Sequence, residues 1–318
     1  MSVTTGAVER LPAAPAPART RGGRRRERLT GLAYVAPFLV GFVLFSAIPM
    51  AASLVLSFTD FDPREPDEVQ FIGIDNYARL LSDPTVADSL WVTIRFALLV
   101  VPLTLGVALG VALLVNSRLL AARNVFRTLF YMPMQIPIVA STLVWMGVLH
   151  ADTGWLNIAL GALGIDGPNW LQSRGWVGPA LALMGLWGIG NMMLIFLAGL
   201  QGVPSELYDA AKVDGAGRWP SFRYVTLPLI SPVLFYNLII ALIGAFQYFT
   251  QAYVISNGRG DPDGATLFLN LYLYRQAFGF FNMGYASALA WLLFVIVLGL
   301  TILLFRTSRT WVFEGGER

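Results

Sequence analysis

The sequence has no cysteine, a single histidine and a single lysine, and charged residues fill only 13% of its 318 positions. Without cysteine there is no disulfide framework and no thiol chemistry, an absence that fits any compartment. His150 alone excludes a multi-histidine metal centre and a histidine proton relay. The only lysine, Lys212, follows Ala211. The Gly-x4-Gly-Lys-Ser/Thr loop that cradles nucleotide phosphates is therefore absent, which argues against an ATPase site in this chain. The charged share is about half that of a soluble domain. With 56% of the residues hydrophobic, the solvent that suits such a chain is a bilayer.

Long apolar runs are what the sequence has instead. Six are long enough to cross a hydrocarbon core, which takes about 20 residues: 32–58, 90–115, 125–149, 177–200, 225–251 and 283–305. The first is too long, and too late in the chain, for a cleaved signal peptide. The runs do not alternate as barrel strands do. Pro102, and Pro133 with Pro137, interrupt two of them. Such breaks are tolerated where neighbouring helices re-satisfy the freed backbone, so they predict a packed bundle. No run carries Asp, Glu or His well inside it, which weakens ion coupling but leaves sodium on backbone carbonyls possible in principle.

Arginine placement sets the expected orientation. Six crossings put both termini on one side. That side collects 16 of the 22 basic residues, among them Arg24, Arg25, Arg26, Arg123, Arg127, Lys212, Arg218 and Arg306. Eight acids fall between Asp60 and Asp88 on the other side. The basic side is expected to be the cytoplasm. Residues 1–28 read as a disordered basic tail whose arginines hold topology and touch anionic lipid rather than nucleic acid. Residues 29–309 form the membrane domain, and 310–318 a short cytoplasmic tail.

Between the fourth and fifth runs lies a charged stretch, ELYDAAKVDGAGRWPSFRYVTLP, from Glu206 to Pro228. Ser205 is the expected N-cap of a short helix with Glu206 in its first turn. Asp214-Gly215 ends that helix, and a second is expected to start near Trp219-Pro220. The small residues Ala210, Ala211, Gly215, Ala216 and Gly217 permit close approach by another body. The pattern Asp209-Ala210-Ala211, three residues, Gly215, nine residues, Val225, one residue, Leu227-Pro228 resembles the EAA loop of ABC importer membrane subunits. That loop reads EAA, three residues, G, nine residues, I, one residue, LP. Asp209 stands for Glu and Val225 for Ile; both keep charge or shape.

Further stretches extend the resemblance across 29–309: FIGIDNYARLLSDP (71–84), GWLNIALGALGI (154–165) and the last two runs with their joining loop (245–294). They are similar to permease subunits of the maltose and glycerol-phosphate kind. The resemblance implies an all-α polytopic membrane fold of six transmembrane helices with a cytoplasmic coupling-helix loop at 201–228. It implies coupling residues Glu206, Asp209, Ala210, Ala211, Asp214, Gly215, Ala216, Leu227 and Pro228. It further implies a second homologous permease, two ABC ATPase subunits and an extracytoplasmic solute-binding protein. A sugar or polyol is the implied substrate. ATP and Mg would be held by the partner ATPase, with no cofactor or metal on this chain. The implied location is the inner membrane of a bacterium or archaeon. The rival is a self-contained ion-coupled secondary carrier or channel. A membrane-embedded enzyme would need a nucleophile, metal cluster or acid pair, and the runs offer none.

Few polar groups lie within the runs, so each is a candidate for the substrate pathway. They are Gln135, Asn191, Asn237, Gln247 and Gln251, with aromatics Trp145, Phe246 and Tyr248 nearby. Amides hydrogen-bond hydroxyls and rings stack on the C–H faces of sugars. Helical steps of seven, three and four place Asn237, Gly244, Gln247 and Gln251 on one side. Membrane amides also tie helices together.

Overall fold

The computed structural model describes residues 21–117 and 122–313, with side chains from residue 30 onward. The tail expected over 1–28 lies outside the described residues as far as residue 20; from Arg21 the chain is helical. Arg118 and residues 314–318 of the C-terminal tail also lie outside. The chain falls into two compact units, Met1–Ser53 and Leu54–Arg318.

The described part of the first unit lies in helix α1. It runs from Arg21 to Phe42, through a widened turn at Val43–Ala47, into Ile48–Leu56 across the unit boundary. Its apolar part, Thr30–Leu56, is 27 residues long, enough to cross a bilayer. The widened turn has a cause. Pro49 carries no N–H, and its ring collides with the carbonyl four residues back in a regular helix. The Ile48 N–H instead reaches back five residues to the Val43 carbonyl, which relieves the crowding. The same device recurs before Pro228, where the Leu227 N–H reaches the Phe222 carbonyl.

In the second unit, α1 is followed by an irregular segment that Asn76 holds in shape. Its amide donates to the carbonyls of Ser57 at 3.0 Å and Thr59 at 2.8 Å. Asn76 sits on α2 (Asp75–Ser82), which leads into the 33-residue α3 (Pro84–Asn116). The start of α3 follows helix-capping rules: Asp83 accepts from the Thr85 N–H at 2.9 Å, and Pro84 takes the first position. Next come α4 (Arg123–Tyr131), α5 (Ile138–Val148), α6 (Trp155–Ala162), α7 (Val177–Trp187) and α8 (Gly190–Gln201). After these come α9 (Ser205–Val213), α10 (Arg218–Ser221), α11 (Ser231–Phe246), α12 (Thr250–Ser256), α13 (Leu269–Tyr274) and α14 (Met283–Ser308).

Among the described residues, four stretches are long and apolar enough to span a membrane: Thr30–Leu56, Pro84–Asn116, Ser231–Ser256 and Met283–Ser308. Two more candidates are bent pairs, at 102° between Arg123–Gln135 and Ile138–Val148 and at 55° between Val177–Trp187 and Gly190–Gln201. The count is six when each bent pair is taken as one span. The first bend falls at Pro133 and Pro137, the second at Gly188 and Ile189. Pro102 leaves α3 unbroken. The run expected at 225–251 is displaced to 231–256. Residues up to Leu229 continue the preceding short helix, and the chain turns at Ile230 between Pro228 and Pro232.

Helix α3 is the axis of the second unit. Its first half buries Phe96, Ala97, Val100 and Val101 in a cluster with residues of α7, α11, α13 and α14. Its second half buries Ala108, Ala112 and Val115 against Met193, Phe196, Leu197 and Leu200 of α8. Ala108 and Ala112 are fully buried one turn apart, the small-residue spacing that lets two helix backbones approach where lipid gives no hydrophobic drive.

Contacts define two ends of this unit. At one, Tyr272 and Tyr285 donate to the Asp83 carboxylate before α3. The α14 backbone also abuts the irregular segment there: the Gly284 N–H donates to the Phe61 carbonyl at 3.1 Å, and a Cβ at Gly284 would lie 2.0 Å from the Thr59 oxygen. At the other end, Gly110, Leu113 and Leu114 of α3 and Ser117 just beyond it line a groove with Arg218, Trp219 and Phe222. There Ser231 accepts from the Phe313 N–H at 2.8 Å, joining the chain beyond α14 to the start of α11.

Candidate functional site

Two features gather part of the residues that the sequence singles out. The first is the elbow formed by α9 and α10. Gly215 ends α9 at φ +78°, where the Ala216 N–H reaches the Ala211 carbonyl at 2.8 Å and the Gly215 N–H the Lys212 carbonyl at 3.0 Å. This left-handed helix stop is one that glycine adopts without strain. The two arms are tied by the hydroxyls of Tyr208 and Thr226, 2.9 Å apart. Lys212 pairs with Asp209 at 2.8 Å on the exposed side of α9. Glu206, Asp209, Ala210, Asp214 and Gly215 are exposed, Ala211 and Ala216 half-buried. Leu227 and Pro228 are half-buried at the base of the second arm. Large apolar side chains are exposed with them: Val213 by 87%, Tyr224 by 74% and Trp219 by 70%. Side chains this exposed are open to cover by lipid or by another protein. Two local expectations shift. The helix cap is Pro204, with Ser205 the first helical residue and no side-chain cap bond. The second arm begins at Arg218, with Pro220 inside its first turn, where its missing N–H costs nothing.

The second feature is a cavity of about 300 Å³ among α3, α8 and α11. Its wall includes Thr104, Asn191, Tyr236, Asn237, Gly244 and Tyr248. The Asn237 side chain is 2% exposed, and its Nδ2 has no hydrogen-bond partner; the buried Tyr248 hydroxyl has none either. Buried polar atoms are nearly always paired, so two orphans on residues of one cavity wall set that wall apart from the rest of the core. The crossing of the bent helices sets this place. A Cβ on Gly190 would lie 2.5 Å from the Phe130 carbonyl oxygen and 2.8 Å from the Tyr131 Cα. Only glycine lets α8 begin against the end of α4, and that contact places Asn191 on the wall.

Three of the eight expected pathway residues, Asn191, Asn237 and Tyr248, meet at this cavity. The others do not line it. The helix stops at Phe246 and restarts at Thr250, and the break ends the common face projected from Asn237 to Gln251. Gln247 lies in the break, exposed, its carbonyl accepting from Asn270 at 3.1 Å. Gln251 follows on α12. Phe246 is core, 4% exposed. Trp145 packs edge-on against Trp187 at 5.5 Å. Gln135 is exposed in the turn between α4 and α5. Thr104 and Tyr236 were not expected on the wall. Tyr236 adjoins Asn237 and Thr104 follows Pro102 by two residues, the signals that point to them.

The carboxylate of Asp83 is the structural anchor of the opposite end. Burial raises its pKa, but the hydroxyls of Tyr272 and Tyr285 and the Thr85 amide outweigh that and hold it below the usual aspartate value of 3.8. Gln276 extends the network, donating to the Tyr272 oxygen at 2.8 Å and accepting from Asn282 at 3.0 Å. Among the described residues no group of three His, Cys, Asp or Glu is placed to hold a metal ion.

With this geometry in place, the comparison with known proteins is decisive. The model of the binding-protein-dependent transport system inner membrane component family matches residues 102–311. The chain belongs to this family. It is a permease, and its curated relatives are permeases. It is 43% identical over 293 residues to the probable ABC transporter permease protein YesP of Bacillus subtilis (strain 168), covering 91% of this chain and 93% of that one. It is 33% identical over 291 residues to the trehalose/maltose transport system permease protein MalF of Thermococcus litoralis, covering 89% and 95%. Among solved structures, a chain of a bacterial alginate ABC transporter, in complex with an alginate pentasaccharide-bound periplasmic protein, matches with a TM-score of 0.76. That match has 22% identity and covers 92% of this chain and 98% of that one, and it supports the fold.

Proposed function

We propose that this permease forms half of the pathway of an ATP-driven importer for a saccharide or polyol, delivered by an extracytoplasmic binding protein. The elbow carries the reading. It is a short, charged helix–turn–helix with exposed Val213, Trp219 and Tyr224 in an otherwise apolar protein, and it has the EAA spacing. A second permease would supply the other half of the path, and two ATPase subunits the energy. Trehalose/maltose and arabinooligosaccharide permeases among the relatives favour a saccharide. The neutral amide and hydroxyl groups of the cavity suit one too. The arginine bias assigns the elbow end to the cytoplasm, and the Asp83 end faces the binding protein.

In this reading Asp209, Ala210, Ala211 and Gly215 seat the elbow on the ATPase. Nucleotide-driven closure of the ATPases moves the elbow, and the bent helices carry that motion to the cavity as a two-state change. The test is uptake and ATP hydrolysis by the reconstituted importer carrying Asp209→Ala or Gly215→Val. Uptake should fall while hydrolysis persists and the permease stays in the membrane. Full-rate uptake in both variants would overturn the coupling assignment and favour the ion-coupled carrier.

A further inference from the structure

A second cavity, of about 340 Å³, lies along the same face of α3, nearer its start. Its wall carries Asp88, Trp91, Arg95, Arg174 and Asp263, and the Arg95 guanidinium sits 4.7 Å from the Trp91 ring centre. The two cavities differ in chemistry. This outer one is charged, whereas the inner one offers only neutral amides and hydroxyls. Phe96 belongs to both walls. Its ring centre is 4.5 Å from that of Tyr248 and 5.1 Å from that of Phe268, and those two are 5.0 Å apart. Phe268 faces the outer cavity and Tyr248 the inner one. Phe96 and Phe268 are 4% and 1% exposed.

We infer that the triangle Phe96, Tyr248 and Phe268 is the constriction that decides passage between the two cavities, with Phe96 its fixed member. This deepens the transport reading and rests on its orientation. Three mutually touching rings leave no water-sized gap between them, and apolar rings offer nothing to hydrate a polyol. Their backbones also differ in freedom. Phe96 sits mid-helix on α3. Tyr248 lies in the break between α11 and α12, and Phe268 is the residue that caps α13. These two can shift without breaking a helical turn. They are also linked: the Asn270 side chain, two residues beyond Phe268, donates to the Gln247 carbonyl beside Tyr248 at 3.1 Å. A movement of the α13 loop therefore carries Tyr248 with it. The orphan Tyr248 hydroxyl then lies on the inner side of the opening, where a passing hydroxyl would meet it.

The absence of native cysteine makes the test direct. Single-cysteine chains Ala265→Cys, on the outer cavity, and Ala241→Cys, on the inner one, are placed in the complete importer in right-side-out vesicles without added nucleotide. A membrane-impermeant methanethiosulfonate is then applied. The Ala265→Cys chain should be labelled and the Ala241→Cys chain protected. Adding Phe96→Ala should abolish that protection; Phe96→Leu, which keeps most of the volume but loses the ring contacts, should do so if the alanine variant does not fold. Labelling of Ala241→Cys as fast as Ala265→Cys with Phe96 in place would overturn the inference. So would continued protection in both Phe96 variants. Labelling needs no transport and is read on this chain alone in its own membranes as well, so loss of the importer reading would leave this result readable. Ala265→Cys reacting only in inside-out vesicles would overturn the orientation on which the inference stands.

Discussion

The hydroxyl of Tyr208 lies 2.9 Å from that of Thr226, across the turn that separates the two arms of the elbow. It is the hydrogen bond that fixes one arm to the other, and Thr226 is buried at 4% exposure. Removing either partner loses about 1 kcal/mol. Tyr208→Phe and Thr226→Val should each speed hydrogen exchange over residues 205–229, and the double variant should add little more. Additive effects would show that the two hydroxyls do not act as a pair.

The orphan atoms of the inner cavity predict a split between stability and function. Asn237 Nδ2 loses no protein partner on substitution. Asn237→Leu, close in shape, should therefore leave the melting temperature unchanged or raise it, because replacing an unsatisfied buried group is neutral or stabilising. Saccharide uptake should fall. A lowered melting temperature with normal uptake would make Asn237 a packing residue instead.

Two glycines should fail for different reasons. At Gly215, alanine must adopt φ +78°, which costs roughly 1 to 2 kcal/mol for a residue with a Cβ. There is open space around it, so the effect stays local to the elbow. At Gly190 the backbone conformation is ordinary, but the added Cβ meets the α4 backbone. Overpacking of this kind costs roughly 1 to 3 kcal/mol. Gly190→Ala should lower the melting temperature of the purified permease more than Gly215→Ala, and the reverse order would contradict the close approach.

The Asp83 network predicts an acid-sensitive outer end. The folded-state pKa is depressed, so the stabilisation is present above 3.8 and is lost as pH falls through the lower folded value. Asp83→Asn keeps the shape but weakens acceptance from Tyr272 and Tyr285. Its melting temperature should lie below that of the parent at neutral pH, and the two should converge on acidification. A gap that does not narrow would assign the effect to packing.

Much of this was legible in the sequence, and the parts that were not share a cause. The apolar runs located α3 and α14 closely, because a bilayer demands length and little else. Gly215 marked the elbow turn, because only glycine enters that backbone region freely. The wall residues Asn191 and Asn237 stood out as rare polar groups in apolar runs, and Tyr248 as an aromatic beside them. Gln247 and Gln251 were misplaced because helical periodicity cannot foresee the break after Phe246. The Gln247 carbonyl in that break is met by Asn270, more than twenty residues away in sequence. The bond between Tyr285 and Asp83 joins residues 202 apart, a distance at which no local pattern speaks.

The central claim is that this permease works as one half of an assembly that it cannot power itself. The direct measurement is gentle detergent purification of the tagged chain from its own membranes, with mass spectrometry of what accompanies it. An ATPase bearing a phosphate-binding loop and a second permease with an elbow of the same spacing are the predicted companions. A chain that emerges alone or only with itself, and that no crosslinker placed at Val213 or Trp219 joins to an ATPase, would contradict the account.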